Sequence, residues 1–168
     1  MTTQGCPFPK TMDTQGNTFP KTERLCSRKA IEALFAGGTR AFSAFPLRVV
    51  YKVINDPATA QSAPRTQVLI SVSKRHFKHA IDRNRAKRQI REAWRLNRDI
   101  IPSSLPSPLW GRVGEGAPHP SSLHIAFIWL ADEPQPTALV QRKMKNLLHR
   151  VAEQLDEVSE RRINGLTE

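Results

Sequence analysis

Ser71-Val-Ser-Lys-Arg-His-Phe-Lys-His-Ala-Ile-Asp-Arg-Asn-Arg-Ala-Lys-Arg-Gln-Ile-Arg-Glu-Ala-Trp-Arg95 decides how this chain is read. It opens as a short strand, passes through a turn and continues as a helix, predicted from His79 to Arg98. Ala86, Ile90, Ala93, Trp94 and Asn97 follow helical spacing and form the stripe expected to face a core. Arg88, Arg91, Arg95 and Arg98 fall at steps of three, four and three and make a second stripe beside it, with Arg83, Arg85 and Lys87 in the first turns. From Lys74 to Arg98 there are ten Lys or Arg against two acids, Asp82 and Glu92. Like charges three and four residues apart on a helix repel, so such a helix calls for a polyanion beside it, and nucleic acid is the polyanion that fits best. Most of the charge is Arg, whose fork matches phosphate oxygens bidentately. Asn84, between Arg83 and Arg85, adds an amide able to bond phosphate, ribose or a base edge at a helix start that already favours anions.

The bulk numbers agree. The chain has 168 residues, enough for one domain with a core plus extensions. Its apolar share is 39%, which leaves part of it unpacked, and its net charge is +11. An anionic membrane surface would also attract such a charge. However, no run of 18 apolar residues is present, and the first residues lack the basic and apolar regions of a signal peptide. A cytoplasmic protein without a membrane partner is expected. Two cysteines, Cys6 and Cys26, suit a reducing compartment, with Cys26 read as a small semi-buried residue.

Working outward, residues 1–22 carry a duplication: Thr3–Thr11 is echoed by Thr14–Thr22, both rich in Pro, Gly and Thr. Two copies make no solenoid, and this segment is read as a flexible arm with Met12 a candidate alternative start. A first helix is expected from the Ser27 cap to Ala36, stopped by Gly37-Gly38, with Ile31, Leu34 and Phe35 on one face. Residues 40–54 read as one strand or a bent pair broken at Pro46, with Leu47, Val49, Tyr51 and Val53 alternating onto one face. Gln67–Ser73 is a further strand with Val68, Ile70 and Val72 facing one way. Residues 103–122, broken by Pro and Gly, read as a disordered insert. Leu123–Leu130 is apolar on both faces and therefore a central strand. A last helix starts near Thr137, with Val140, Met144, Leu147, Leu148, Val151 and Leu155 on its apolar face, and 156–168 is a polar tail. The domain is thus 23–155, of order α-β-β-(β)-α-β-α: an α/β (α+β) two-layer sandwich on one small sheet.

Sites for chemistry are not evident in the sequence. His76, His79, His119, His124 and His149 are scattered without zinc spacing. No P-loop, nucleophile elbow or dinucleotide turn is present. A protein nuclease would need several acidic metal ligands, whereas Asp82, Glu92 and Asp99 lie on or near the basic helix and temper its charge. No catalytic side chain, metal site or small-molecule substrate is therefore expected of the polypeptide itself.

The run from Ser71-Val-Ser-Lys-Arg, through Ala80-Ile81, to Arg83-Asn-Arg-Ala-Lys-Arg-Gln-Ile-Arg-Glu-Ala-Trp-Arg95 closely resembles the signature of the bacterial ribonuclease P protein subunit. The resemblance covers roughly 24–101 and 123–155, and the arm and the insert depart from the compact family form. It implies a sandwich of the type seen in a small-subunit ribosomal protein. It further implies one monomeric protein per ribonucleoprotein, partnered by the ribonuclease P RNA and by precursor tRNA. The catalytic RNA would perform the endonucleolytic removal of the 5′ leader, with Mg²⁺ held mainly by RNA. Arg83, Asn84, Arg85, Lys87, Arg88, Arg91 and Arg95 would face the catalytic RNA. Ile31, Phe35, Tyr51, Ser71, Ser73 and Lys74 would line a cleft for the single-stranded leader. Apolar and aromatic surfaces stack unpaired bases without demanding a sequence. Ile31 stands where the family usually has an aromatic, so stacking there is weaker. The alternatives are a non-catalytic RNA- or ribosome-binding module and, further off, a major-groove DNA binder. Neither requires fixed Ser-Val-Ser-Lys spacing ahead of Arg-Asn-Arg.

Overall fold

A computed structural model of the chain describes residues 19–54, 66–101 and 122–164. The repeated arm up to residue 18 and the insert up to residue 121 lie outside these; Ser122, counted above with the insert, begins a strand. Helix α1 spans Arg28–Phe35 and strands β1 and β2 span Arg40–Ala44 and Leu47–Ile54. Strand β3 is Thr66–Ser71, helix α2 Ala80–Asn97, strand β4 Ser122–Trp129 and helix α3 Thr137–Asn164. Single 3-10 turns at Lys21–Glu23 and Arg98–Ile100 flank α1 and α2.

Local chemistry accounts for the boundaries. Gly37 and Gly38 adopt φ of 106° and 68°, the left-handed region open to glycine, and end α1. Phe45 and Pro46 form the turn that makes residues 40–54 an antiparallel hairpin rather than one strand, since Pro46 cannot donate to a ladder. The sheet order is β1-β2-β4-β3, with β3 parallel to β4 and the other pairs antiparallel. A parallel pair needs a crossover, and α2 lies in it. Every residue of β4 except Ile128 is buried, which is why that strand reads as a continuous apolar run.

Period-two alternation splits the core. On one face Leu47, Val49, Tyr51, Val68, Leu123, Ile125, Phe127 and Trp129 meet α2 and α3. Of the expected α2 stripe Ala86, Ile90, Ala93 and Trp94 are buried, while Asn97 is half-buried and donates back to the Ala93 carbonyl; all six apolar residues named on α3 are buried. Gln89 is buried as well: its amide donates to the Gln135 carbonyl and to Thr137 Oγ1, both at 3.0 Å, tying α2 to the start of α3. On the opposite face Leu34 of α1 packs with Leu25, Val50 and Ala126. α3 continues through Asn164, so residues 156–164 are helical rather than a tail. The sequence conceals this because the extension has good helix formers but no apolar period to reveal it. Cys26 is exposed, not semi-buried.

Trp94 packs on Phe127 with ring centroids 5.8 Å apart. Trp94→Ala should cost about 3–5 kcal/mol of folding stability, measured by urea denaturation; a loss below about 1 kcal/mol would mean that α2 is not held through this contact.

Candidate nucleic-acid interface

The turn into α2 is built by one of its own cations. Arg83 Nη1 donates to the carbonyls of Phe77 and Lys78 at 2.8 and 2.7 Å, closing the segment between β3 and α2. His76 Nδ1 lies 2.7 Å from Asp132 Oδ1, which pins the same segment to the loop after β4. Asn84, Arg88, Arg91 and Arg95, at steps of four, three and four, run along the side of α2 opposite Ala86, Ile90 and Ala93. Asn84, Arg85, Arg88 and Arg91 are exposed and Lys87 is half-buried.

Not every guanidinium on the helix is open. Arg95 makes a two-pronged pair with Glu92, Nη2 to Oε1 at 2.6 Å and Nε to Oε2 at 3.0 Å, and this bonding holds the Glu92 carboxyl below its usual pKa. Arg98 turns away from the expected stripe to meet Glu23 at 3.1 Å, joining the two 3-10 turns. The tempering expected of Glu92 is therefore real but local. Arg85, Lys87, Arg88 and Arg91 make no side-chain hydrogen bond or ion pair among the described residues. With exposed Lys74, Arg75 and Lys78 in the preceding turn, they form a band free to neutralise phosphate.

The second surface is the sheet face that α1 crosses. An eight-residue helix is about 12 Å long and about 10 Å wide, whereas the eight-residue strands beneath it run about 26 Å, so part of the face stays uncovered. Ile31 is half-buried against the Leu25–Leu34–Val50–Ala126 cluster. Phe35, one turn later, is 49% exposed and lies outside both core clusters, so it is a surface aromatic. Lys52 reaches from β2 to the end of α1, donating from Nζ to the carbonyls of Ala33 at 3.0 Å and Gly37 at 3.1 Å. That places a cation at the negative end of the helix dipole and fixes the turn that carries Phe35.

Ser71 closes β3 on this same face, since Val68, Ile70 and Val72 belong to the other one. Its neighbour across the ladder is Ile128, whose partner on β2 is Arg48. Ser73 is exposed, and its Oγ accepts the Arg75 backbone N–H at 3.1 Å; Lys74 projects beside it. Ser71, Ser73 and Lys74 therefore lead from the sheet floor to the basic helix.

The sequence model of the family described as Ribonuclease P matches residues 19–109. The protein component of ribonuclease P from Porphyromonas gingivalis is 36% identical over 132 residues, covering 79% of this chain and 85% of that protein. That of Chlorobium phaeobacteroides is 29% identical over 139 residues, covering 80% and 88%. The chain belongs to the ribonuclease P protein-component family. Solved structures share its fold: the Thermotoga maritima ribonuclease P protein matches with a TM-score of 0.52 at 21% identity, covering 76% of this chain and 96% of that one. The Staphylococcus aureus protein gives 0.53 at 17% identity, covering 77% and 94%.

Within this ribonuclease P subunit one assignment moves. Tyr51 does not lie on the α1 face. It pairs in register with Ile125, stacks on Phe42 at 6.0 Å and sits in the core under α3. Burial pushes its phenol pKa up, and Arg40 opposes the shift. The alternation of Leu47, Val49, Tyr51 and Val53 already carried that answer, because a one-residue step on a strand changes the face. The same parity supplies residues that sequence reasoning missed: Arg48, Val50 and Lys52 are the β2 positions on the α1 side. Ile81 is also new, 81% exposed, one turn ahead of Asn84 and two ahead of Arg88 on the cationic side of α2.

His124 belongs to this face too, opposite Lys52 on β2 and Gln67 on β3. It is 4% exposed, and neither ring nitrogen has a hydrogen-bond partner. Among the described residues no cluster of three or more His, Cys, Asp or Glu is arranged to hold a metal, and no helix is long and apolar enough to cross a membrane. Burial lowers the His124 pKa, so the folded chain binds this proton less readily than the unfolded chain. The contribution to stability is full above the ordinary histidine value of 6.5 and is lost as pH falls from there through the depressed folded value. Urea midpoints at about pH 7.5 and about pH 5.5 should differ less for His124→Leu than for the wild type; equal differences would show that this histidine is not held neutral by the fold.

Proposed function

We propose that this chain, as the protein subunit of ribonuclease P, binds the catalytic RNA along α2 and the 5′ leader of precursor tRNA on the sheet face beside α1. The RNA carries out the hydrolysis. What supports the reading is one juxtaposition: an unpaired cationic band (Arg85, Lys87, Arg88, Arg91) is joined through Ser71–Lys74 to a surface with an exposed aromatic, Phe35, and an open cation, Arg48. The first suits the phosphates of a folded RNA. The second suits a single strand, whose bases stack on apolar surface while its phosphates seek positive charge. Seating the leader there lowers its repulsion from the catalytic RNA, which raises substrate affinity and eases the demand for Mg²⁺. Mg²⁺ is then held chiefly by RNA phosphates. One copy of the protein, as a monomer, serves each ribonucleoprotein.

The test combines the protein with the catalytic RNA and precursor tRNA at low Mg²⁺. Accelerated, site-specific removal of the leader is expected, and no enhancement at any salt or Mg²⁺ concentration would refute the reading. Arg85→Ala and Arg88→Ala should each weaken assembly with the catalytic RNA and reduce the salt slope of binding by about one. Phe35→Ala should leave assembly unchanged and weaken precursor binding by about 1–3 kcal/mol, the worth of a stacked base. Equal effects of all three variants on assembly would contradict the division into two surfaces.

A further inference from the structure

The solvent face of α3 changes sign along its length. Arg142, Lys145 and His149 are exposed at steps of three and four, on the side opposite Val140, Leu147 and Val151. Continued at steps of four and three, the same line reaches Glu153 and Asp156. Along this line Arg142 and Lys145 therefore come first and Glu153 and Asp156 follow. Arg142 and Lys145 make no ion pair or side-chain hydrogen bond among the described residues, so no internal acid accounts for them.

The switch in sign has a position. α3 starts where Gln89 holds Thr137, and it runs beside α2 to touch the 3-10 turn Arg98–Ile100. From Gln89 to Ile100 the shared length is about 19 Å, or about 13 residues of α3, which reaches His149. The cations on α3 thus cover the stretch that has α2 alongside, and the acids begin where α2 has ended. Both helices lie in one layer and turn these rows away from the sheet, at the 8–10 Å spacing usual for packed helices. Within the shared length Arg91 and Arg95 of α2 lie alongside the row Arg142–Lys145–His149, and Asn84 and Arg88 lead into this platform along α2.

We propose that the Arg142–Lys145–His149 row is a second phosphate-binding row for the catalytic RNA, engaging its backbone together with α2. The occupant follows from charge complementarity and from the shared length: a partner that follows α2 past Gln89 to Arg91 overlies this part of α3 and not the acidic part. The inference rests on the function proposed above.

The experiment uses the full chain and the catalytic RNA, with binding measured over a range of salt. An Arg142→Ala, Lys145→Ala double variant, both sites being exposed, should keep the wild-type melting curve and lower the log–log salt slope by about two. Arg150→Ala removes a cation from the side of α3 that faces β1, where Arg150 lies over the Phe42 ring, and should leave the slope unchanged. An unchanged slope in the double variant, beside normal wild-type binding, would overturn the second row and leave the α2 assignment standing. An equal drop for Arg150→Ala would reduce the row to net charge and overturn it as well. A double variant that assembles normally but loses precursor tRNA would assign the row to substrate instead. A wild-type chain with no affinity for the catalytic RNA would overturn the functional reading itself.

Discussion

Burial of β4 on both faces is the constraint on which the rest of the molecule depends. A strand paired on both sides, with its neighbours β2 and β3 running in opposite senses, leaves no edge of its own. Its odd-numbered residues hold α2 and α3, and its even-numbered residues hold α1. Each surface assigned to RNA is thus set by the side chains of one strand, Phe127 under Trp94 and Ala126 under Leu34. A one-residue slip of β4 would exchange the two sets at once, so its register is specified from both sides.

The cationic helix is tolerable because the fold absorbs part of its charge and leaves the rest open. Arg83 is spent on two backbone carbonyls, Arg95 is paired with Glu92, and Arg98 with Glu23. What remains unpaired is contiguous: the exposed cations of the turn, then Arg85, Lys87, Arg88 and Arg91. A pair as open to solvent as Arg95 with Glu92, both only half-buried, contributes little to stability, so its effect is to shape the field rather than to hold the helix. Packing holds it, through Ala86, Ile90, Ala93 and Trp94.

Much of this was legible in the sequence, and the exceptions have physical reasons. Periodicity found α1, α2, the central strand and the six apolar residues of α3, because each buries a regular stripe. The far end of α3 carries no such stripe and read as a tail. Gln89 was invisible because a buried amide has no periodic signature; its partners lie on a segment forty-odd residues away. Arg83 reads as one more cation because backbone carbonyls, its partners, leave no mark in a sequence. Phe35 could be core or surface on spacing alone, and it is the crossing of α1 over the sheet that leaves it exposed. Tyr51 differs in kind: family resemblance placed it beside the leader while strand parity placed it in the core, and parity prevailed.

Parity also bears on how the two surfaces communicate. Ser71 is the last β3 residue on the α1 face, and six residues later Phe77 is packed in the opposite core, with its ring 6.0 Å from that of Trp129. The chain therefore crosses from one layer to the other between these points. Three independent contacts fix the crossing: the Ser73 hydroxyl on the Arg75 amide, the His76–Asp132 pair and the Arg83 clamp on Phe77 and Lys78. The Arg83 clamp, closing the turn onto the first residues of α2, is the partly buried one of the three and does most to set the angle between the sheet floor and α2. The protein backbone itself thus sets the angle between the sheet face beside α1 and the cationic side of α2, the two surfaces proposed for RNA.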